Sequence, residues 1–136
     1  MDLATSMMVA ASGMRAQSTR MRTIAENIAN ANSTAPTAGA DPYRRKIATM
    51  NASFDRELGA TMVKAGKPVA DNSDFRAQYD PGNPVADAKG YVKLPNVNSL
   101  VEIMDMREAQ RSYEADLTVM DATKQMLAKT VDLLNK

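Results

Sequence analysis

Cysteine, histidine and tryptophan are all missing from this 136-residue chain. Without cysteine there are no thiol nucleophiles and no disulfides. Without histidine there is no Ser-His-Asp triad, and with both absent the usual zinc ligands are gone. Aromatic residues are scarce, four Tyr and two Phe, while methionine occurs 11 times. Met is unbranched and fills irregular gaps, so this balance suits helix against helix contacts better than a tightly packed enzyme core. A dominant charge is lacking too. Lys plus Arg total 17 against 16 Asp plus Glu, which leaves no large field to hold nucleic acid or an anionic membrane surface. The partner these absences leave is protein.

No stretch approaches the roughly 20 apolar residues that span a bilayer, so direct membrane insertion is not expected. The opening Met1-Asp2-Leu3 has no positive n-region, and Ser6, Ser12 and Gly13 interrupt the apolar residues that follow. This does not read as a cleaved signal peptide. It is what a cytoplasmic protein would show, and equally what a substrate of a signal-peptide-independent export machine would show. The length is that of one folding unit.

Proline and glycine are absent from the ends. All six prolines and five of the six glycines lie between residues 36 and 95. Both residues break helices, so the chain divides into a helix-compatible N-terminal arm (1–34), a turn-rich middle (35–96) and a helix-compatible C-terminal arm (97–136). In the first arm Met7, Met14, Met21 and Ile28 recur every seven residues, interleaved with Leu3, Ala10, Gln17, Ile24 and Ala31. Only Gln17 breaks this a/d stripe, which predicts a helix over 3–31, about 45 Å long. In the last arm Met106, Tyr113, Met120, Leu127 and Leu134 repeat in the same way, interleaved with Ile103, Gln110, Leu117, Lys124 and Val131. Val119, Met126 and Leu133 widen that stripe. The expected helix covers 98–134.

Heptads do not distinguish an internal seam from an intermolecular one. The two stripes therefore fit an antiparallel hairpin or small bundle within one chain, or contacts between chains. The thin Met and Ala seam of the first arm and the wide apolar stripe of the last favour assembly. The fold class expected is mainly α, with long terminal helices paired as a coiled coil around a small, irregular, β-containing middle. Short β-compatible runs stand at 45–54, 60–65, 75–79 and 90–94, enough for a few strands but not for a large sheet.

Chemistry has little to work with. The middle offers Asp71, Asp74, Asp80 and Asp87, and solvated loop carboxylates are far commoner than a carboxylate pair of the glycosidase kind. Asp80-Pro81-Gly82-Asn83-Pro84 lacks the alternating oxygen ligands and closing Glu of an EF-hand, and its turn chemistry needs no ion. No catalytic, cofactor-binding or metal-ligating residue is assigned. Arg44-Arg45-Lys46 beside Tyr43 has no basic field around it, so it reads as a solvated strand edge or as local pairs with acidic residues, and not as a nucleic-acid site. Asn27, Asn30 and Asn32 are more informative. Asn tolerates αL and bonds neighbouring backbone, so three in six residues predict the end of the first helix. Ala25, Ala29 and Ala31 leave room there for another backbone to approach.

The stretch Ala25-Glu26-Asn27-Ile28-Ala29-Asn30-Ala31-Asn32-Ser33-Thr34 is similar to the motif after the first helix of flagellar axial proteins of the rod and hook class. Asp41-Pro42-Tyr43-Arg44-Arg45-Lys46 and the run YDPGNPVADAKGYVKLPNVN over 79–98 resemble the FlgC family of proximal rod proteins, as do Arg111-Ser112-Tyr113-Glu114-Ala115 and Lys124-Gln125-Met126. The family often has Asn where Asp116 stands, and its loop before Asp41 varies in length.

The resemblance implies a structural, non-enzymatic subunit, exported through the flagellum's own type III apparatus and assembled helically in the periplasm as part of the torque-transmitting proximal rod. The partners it implies are copies of itself, other rod subunits, membrane-ring or export-gate adaptor proteins at the rod base, and the export apparatus. The residues expected to carry assembly are Met7, Met14, Met21 and Ile28 on the first helix and Tyr113, Met120, Leu127 and Leu134 on the last. Between them come Asn27, Asn30 and Asn32 at the helix end, then Tyr43, Arg44, Tyr79, Pro81, Asn83 and Tyr91 in the middle. A soluble helical adaptor or export chaperone is the alternative reading.

Overall fold

The computed structural model describes residues 2–135, so Met1 and Lys136, the outer bounds of the two arms, lie outside the described residues. Two helices, α1 (Leu3–Ala29) and α2 (Ser99–Leu134), flank a small β-containing middle. The middle holds β1 (Lys46–Ile47), β2 (Met50–Asp55), β3 (Ala60–Ala65), β4 (Val69–Ala70), β5 (Arg76–Tyr79) and β6 (Tyr91–Leu94). The strands form three separate antiparallel pairs: β1 with β4, β2 with β3 and β5 with β6.

Both helices begin where a short polar side chain caps them. The Asp2 carboxylate accepts the Thr5 N–H at 2.7 Å, which also holds its pKa below the ordinary value. Asn98 accepts the Leu100 N–H at 3.1 Å, and its carbonyl takes the first α2 bond from Glu102. α1 stops at Ala29, two residues short of the expected end. Among the described residues only glycines have positive φ, so the asparagines do not end the helix through αL. Asn30 does it through its side chain, which donates to the Glu26 carbonyl at 2.8 Å alongside its own N–H.

By contact the chain resolves into two compact units, each drawing on both helices and on the middle. The first contains residues 2–21, 49–67 and 107–135. Within it α1 and α2 run antiparallel, with Gly13 facing Asp116 and the Arg20 guanidinium bonded to Glu108 at 3.3 Å. The β2–β3 hairpin lies on α1, where the Ser12 hydroxyl accepts the Val63 N–H at 3.1 Å and donates to the Val9 carbonyl. The buried residues of this unit are small: Ala10, Ser12, Ala16, Ala60, Ala109 and Thr123. Its larger apolar side chains are half-buried, as Met7, Met14, Met21 and Met120 are, or stand in solvent, as Phe54, Leu127, Leu133 and Leu134 do.

The second unit contains residues 22–48 and 68–106. It has a more ordinary interior, with Ile24, Ala31, Ala35, Val92, Leu94, Pro95 and Val97 all buried. Alternation on β6 supplies two of these, Val92 and Leu94, while Tyr91 and Lys93 face out. The run over 79–98 thus supplies Val92, Leu94, Pro95 and Val97 to the interior, while Tyr79, Tyr91, Lys93 and most of the connection between β5 and β6 are exposed.

Candidate assembly site

The second unit is joined by a buried polar cluster centred on Asn27 and Glu102, each 1% exposed. Asn27 donates to the Glu102 carboxylate at 2.9 Å and to the Lys46 carbonyl at 2.8 Å. Its own carbonyl accepts from the Tyr43 hydroxyl at 2.8 Å and from the Lys46 N–H at 2.9 Å. Those four bonds use the full capacity of the amide, so nothing of Asn27 is left for a neighbour. Arg45 closes the cluster with a 2.6 Å bond from Nε to Glu102, a 3.3 Å bond to Asp71 and a 3.8 Å approach to Asp105. Burial alone would lower the guanidinium pKa, and the bonds to Glu102 and Asp71 outweigh it, leaving it above its ordinary value. Burial raises the Tyr43 hydroxyl.

Around this cluster the remaining polar residues bind backbone. Asn96 accepts the Arg45 N–H and donates to the Asp71 and Ser73 carbonyls. Arg44 bonds the same two carbonyls and lies over the Phe75 ring at 4.3 Å. Arg76 ties the Ala31 carbonyl, just beyond α1, to that of Pro95. Of the two readings of the basic cluster, local pairing holds for Arg45 and for Lys46, which reaches Glu26 at 2.9 Å and has its pKa raised by that bond.

Three of the four candidate acidic residues have local partners. Asp71 accepts the Ser73 N–H, its first source of a lowered pKa, and then Arg45. Asp87 accepts the Tyr91 and Lys89 N–H groups, which lower its pKa too. Asp80 is bonded by Asn83 at 3.4 Å. No cluster of three metal-ligating side chains exists among the described residues.

The proposed assembly residues fall into three groups. Met14, Tyr113 and Met120 come together with Ala11, Arg15 and Ser18 around an open groove of about 350 Å³ between the helices of the first unit. Met7, Met21 and Ile28 are likewise half-buried. Leu127 and Leu134 are 46% and 80% exposed, and the interleaved Ile103, Gln110, Leu117, Lys124 and Val131 form an outward line on α2. In the second unit Asn32 and Asn83 share a small hollow with Thr34, Gln78 and Asp80, while Asn30 is spent on the helix end. Tyr79 and Tyr91 stack edge to face at 5.3 Å and remain exposed, beside Pro81 and Gly90. Gly90 has φ of 83°, and a Cβ there would lie 2.9 Å from the Tyr79 ring, so the turn into β6 admits only glycine.

Sequence reading missed Glu102, Asp71, Arg76 and Asn96 as organising residues. The one available signal was Glu102 itself, an acidic residue in the first turn of α2 on the same side as the inward Ala109 and Thr123.

Comparison with known proteins bears on this arrangement. Residues 7–35 match the family model described as flagella basal body rod protein, and residues 88–133 match the one described as flagellar basal body rod FlgEFG protein C-terminal. The chain is similar to the flagellar basal-body rod protein FlgC of Agrobacterium fabrum, 54% identical over 93% of this chain and 91% of that protein. It is also similar to those of Bacillus subtilis, 40% identical over 94% and 95%, and Aquifex aeolicus, 36% identical over 97% of each.

Proposed function

The chain belongs to the FlgC family of flagellar basal-body rod proteins, and from that premise we propose that it builds the proximal rod through an inverted first unit. It is a structural subunit of the flagellar rod, not an enzyme, and it assembles with other rod subunits. The carrying observation is that, among its described residues, the first unit buries only alanine, serine and threonine and leaves its Met, Leu, Val and Phe side chains half or fully exposed. A surface of that kind finds its apolar partners in neighbouring chains.

In this reading α1 and α2 pair as a coiled coil and stack against the same pair in adjacent subunits, forming the inner tube of the rod. The contact is heterologous, so it repeats as a helix instead of closing a dimer. Met7, Met14, Met21, Ile28, Tyr113, Met120, Leu127 and Leu134 carry the burial, at roughly 1.5–3 kcal/mol for each side chain fully covered. Asn32, Tyr79, Pro81, Asn83 and Tyr91 meet a neighbour from the exposed part of the middle. Asn27, Tyr43 and Arg44 act from inside, by holding that part on the helices.

No helix of the described residues is long and apolar enough to cross a membrane. We further propose export by the type III apparatus without a cleaved signal, assembly in the periplasm, and contact with membrane-ring or export-gate adaptors at the rod base.

Electron microscopy of basal bodies from a strain lacking this gene tests the reading. Loss of the rod with the membrane ring retained is the expected result, and normal rods would return the chain to the adaptor class. Met21→Glu and Leu127→Glu should each abolish rod assembly while leaving the protein folded and secreted, a separation visible by immunoblot and swimming assay.

A further inference from the structure

Residues that pair across an antiparallel ladder share a face. In the β2–β3 hairpin the pairs Met50 with Ala65, Ala52 with Val63 and Phe54 with Thr61 put five apolar residues and one threonine on one face, and four of these six are exposed. The opposite face carries Asn51, Ser53, Asp55 and Lys64, together with the half-buried Met62 and the buried Ala60. The hairpin thus turns its apolar side outward, the reverse of the usual alternation. Phe54, 63% exposed, stands at its tip. The tip turn is fixed by the Asp55 carboxylate, which accepts the Glu57 and Leu58 N–H groups at 3.0 and 3.2 Å and leaves Arg56 and Glu57 in solvent.

The second unit holds a hollow of complementary character. It is a cavity of about 220 Å³ walled by small side chains, chiefly Ala35, Ala77, Val85 and Val92, with Asp87 and Lys93 at its polar edge. An apolar cavity of about 150 Å³ is enough to take benzene, so a phenyl ring fits with room to adjust. The edge charges match the tip. One Asp87 oxygen takes the Lys89 and Tyr91 N–H groups, so the other can face Arg56. Lys93, held to Asp41 only by an exposed 3.3 Å pair, can exchange that partner for Glu57 at little cost.

We propose that Phe54 of one subunit plugs the Ala35–Ala77–Val92 hollow of the next copy of this chain. The inference rests on the rod reading and adds a second contact to it, outside the helices. Plug and socket lie at different places on one chain, so the contact is heterologous and repeats head to tail.

Because the chain has no cysteine, the contact can be trapped cleanly. A strain lacking the gene is complemented with the Phe54→Cys, Ala77→Cys double variant, and its basal bodies are isolated, oxidised and run on a non-reducing gel. A reductant-sensitive ladder of dimers, trimers and higher multimers, absent from either single variant, is the expected result. Dimers alone, a link within one chain, or no link in rods that contain the protein would each overturn the plug while leaving the rod assignment standing. Failure of that assignment would look different, as normal rods without the protein.

Phe54→Ser guards against a double variant that does not assemble. Its exposed position should leave the melting temperature unchanged, and incorporation into rods should fall about tenfold or more. Phe54→Leu should keep most of it. Incorporation of Phe54→Ser at the native level would overturn the proposal.

Discussion

A glycine inside a helix is about 1 kcal/mol less favourable than alanine. Gly13 nonetheless occupies the interior of α1, where a Cβ would run into the Asp116 carboxylate, whose Cγ would be 3.0 Å away. Gly13→Ala should therefore show none of the usual gain in the native background, and should stabilise by about 1 kcal/mol when Asp116 is also Ala. A urea melt of the four proteins of that cycle measures it, and an equal gain in both backgrounds would refute the contact.

Asp116 has an oddity of its own. Burial raises its pKa, and it makes no hydrogen bond or ion pair with any described residue to offset that. A raised folded-state pKa means that the proton binds the folded form more tightly. The favourable contribution is complete below the unfolded value of 3.8 and is lost as pH rises through the folded value. Asp116→Asn should accordingly stabilise at pH 7, by up to about 0.5 kcal/mol after solvent screening, with the advantage vanishing below pH 4. A series of thermal melts from pH 3 to 8 would show it.

At the level of elements, Arg45 holds the second unit together. Removing one partner of a buried ion pair leaves the other charge uncompensated, so Arg45→Ala should destabilise by about 3 kcal/mol, read from the denaturation midpoint. A loss under 1 kcal/mol would mean that water replaces the guanidinium.

The long elements were readable because nearly all Pro and Gly are confined to the middle and apolar heptads run through both ends. The helix ends came within two residues, and β3 over 60–65 as expected. β1 falls within the expected run over 45–54, whereas β4, two residues long, left no periodic signal, since what defines it is a pairing across 22 positions, Ile47 with Val69. The apolar heptads located the helices and, in the first arm, the buried Ala10, Ile24 and Ala31. The other buried residues of the two helices are small or polar: Ser12, Ala16, Thr23 and Asn27 on α1, and Glu102, Ala109 and Thr123 on α2. A search keyed to hydrophobicity passes over such residues. Gln17, the break in the α1 stripe, is half-buried with its amide oxygen enclosed and unbonded. Gln110 and Lys124, the polar members of the α2 stripe, are exposed, as are Ile103, Leu117 and Val131 interleaved with them.

Across the whole molecule the two units divide the work. One is closed by its own polar cluster and aliphatic interior; the other leaves its larger apolar side chains half or fully exposed, the surface proposed above to meet neighbouring subunits. The family resemblance was legible over nearly the full length, while the cluster was not, because Asn27 meets Glu102 across 75 positions of sequence.

That separation sets the order in which the chain can fold. Bringing the ends of so long a loop together costs about 4 kcal/mol of chain entropy beyond a fixed term, whereas the β2–β3 hairpin closes over a four-residue turn between Asp55 and Ala60. The hairpin can form early and alone; the second unit must wait for the start of α2. A chain delivered end first, through a ribosome or an export channel, thus stays open until three quarters of it has emerged. A fragment ending at residue 98 should keep amide protection in β2 and β3 and lose it around Asn27 and Lys46. Under the export route proposed above, the same dependence on α2 would keep the leading part of the chain open while it is still in the channel.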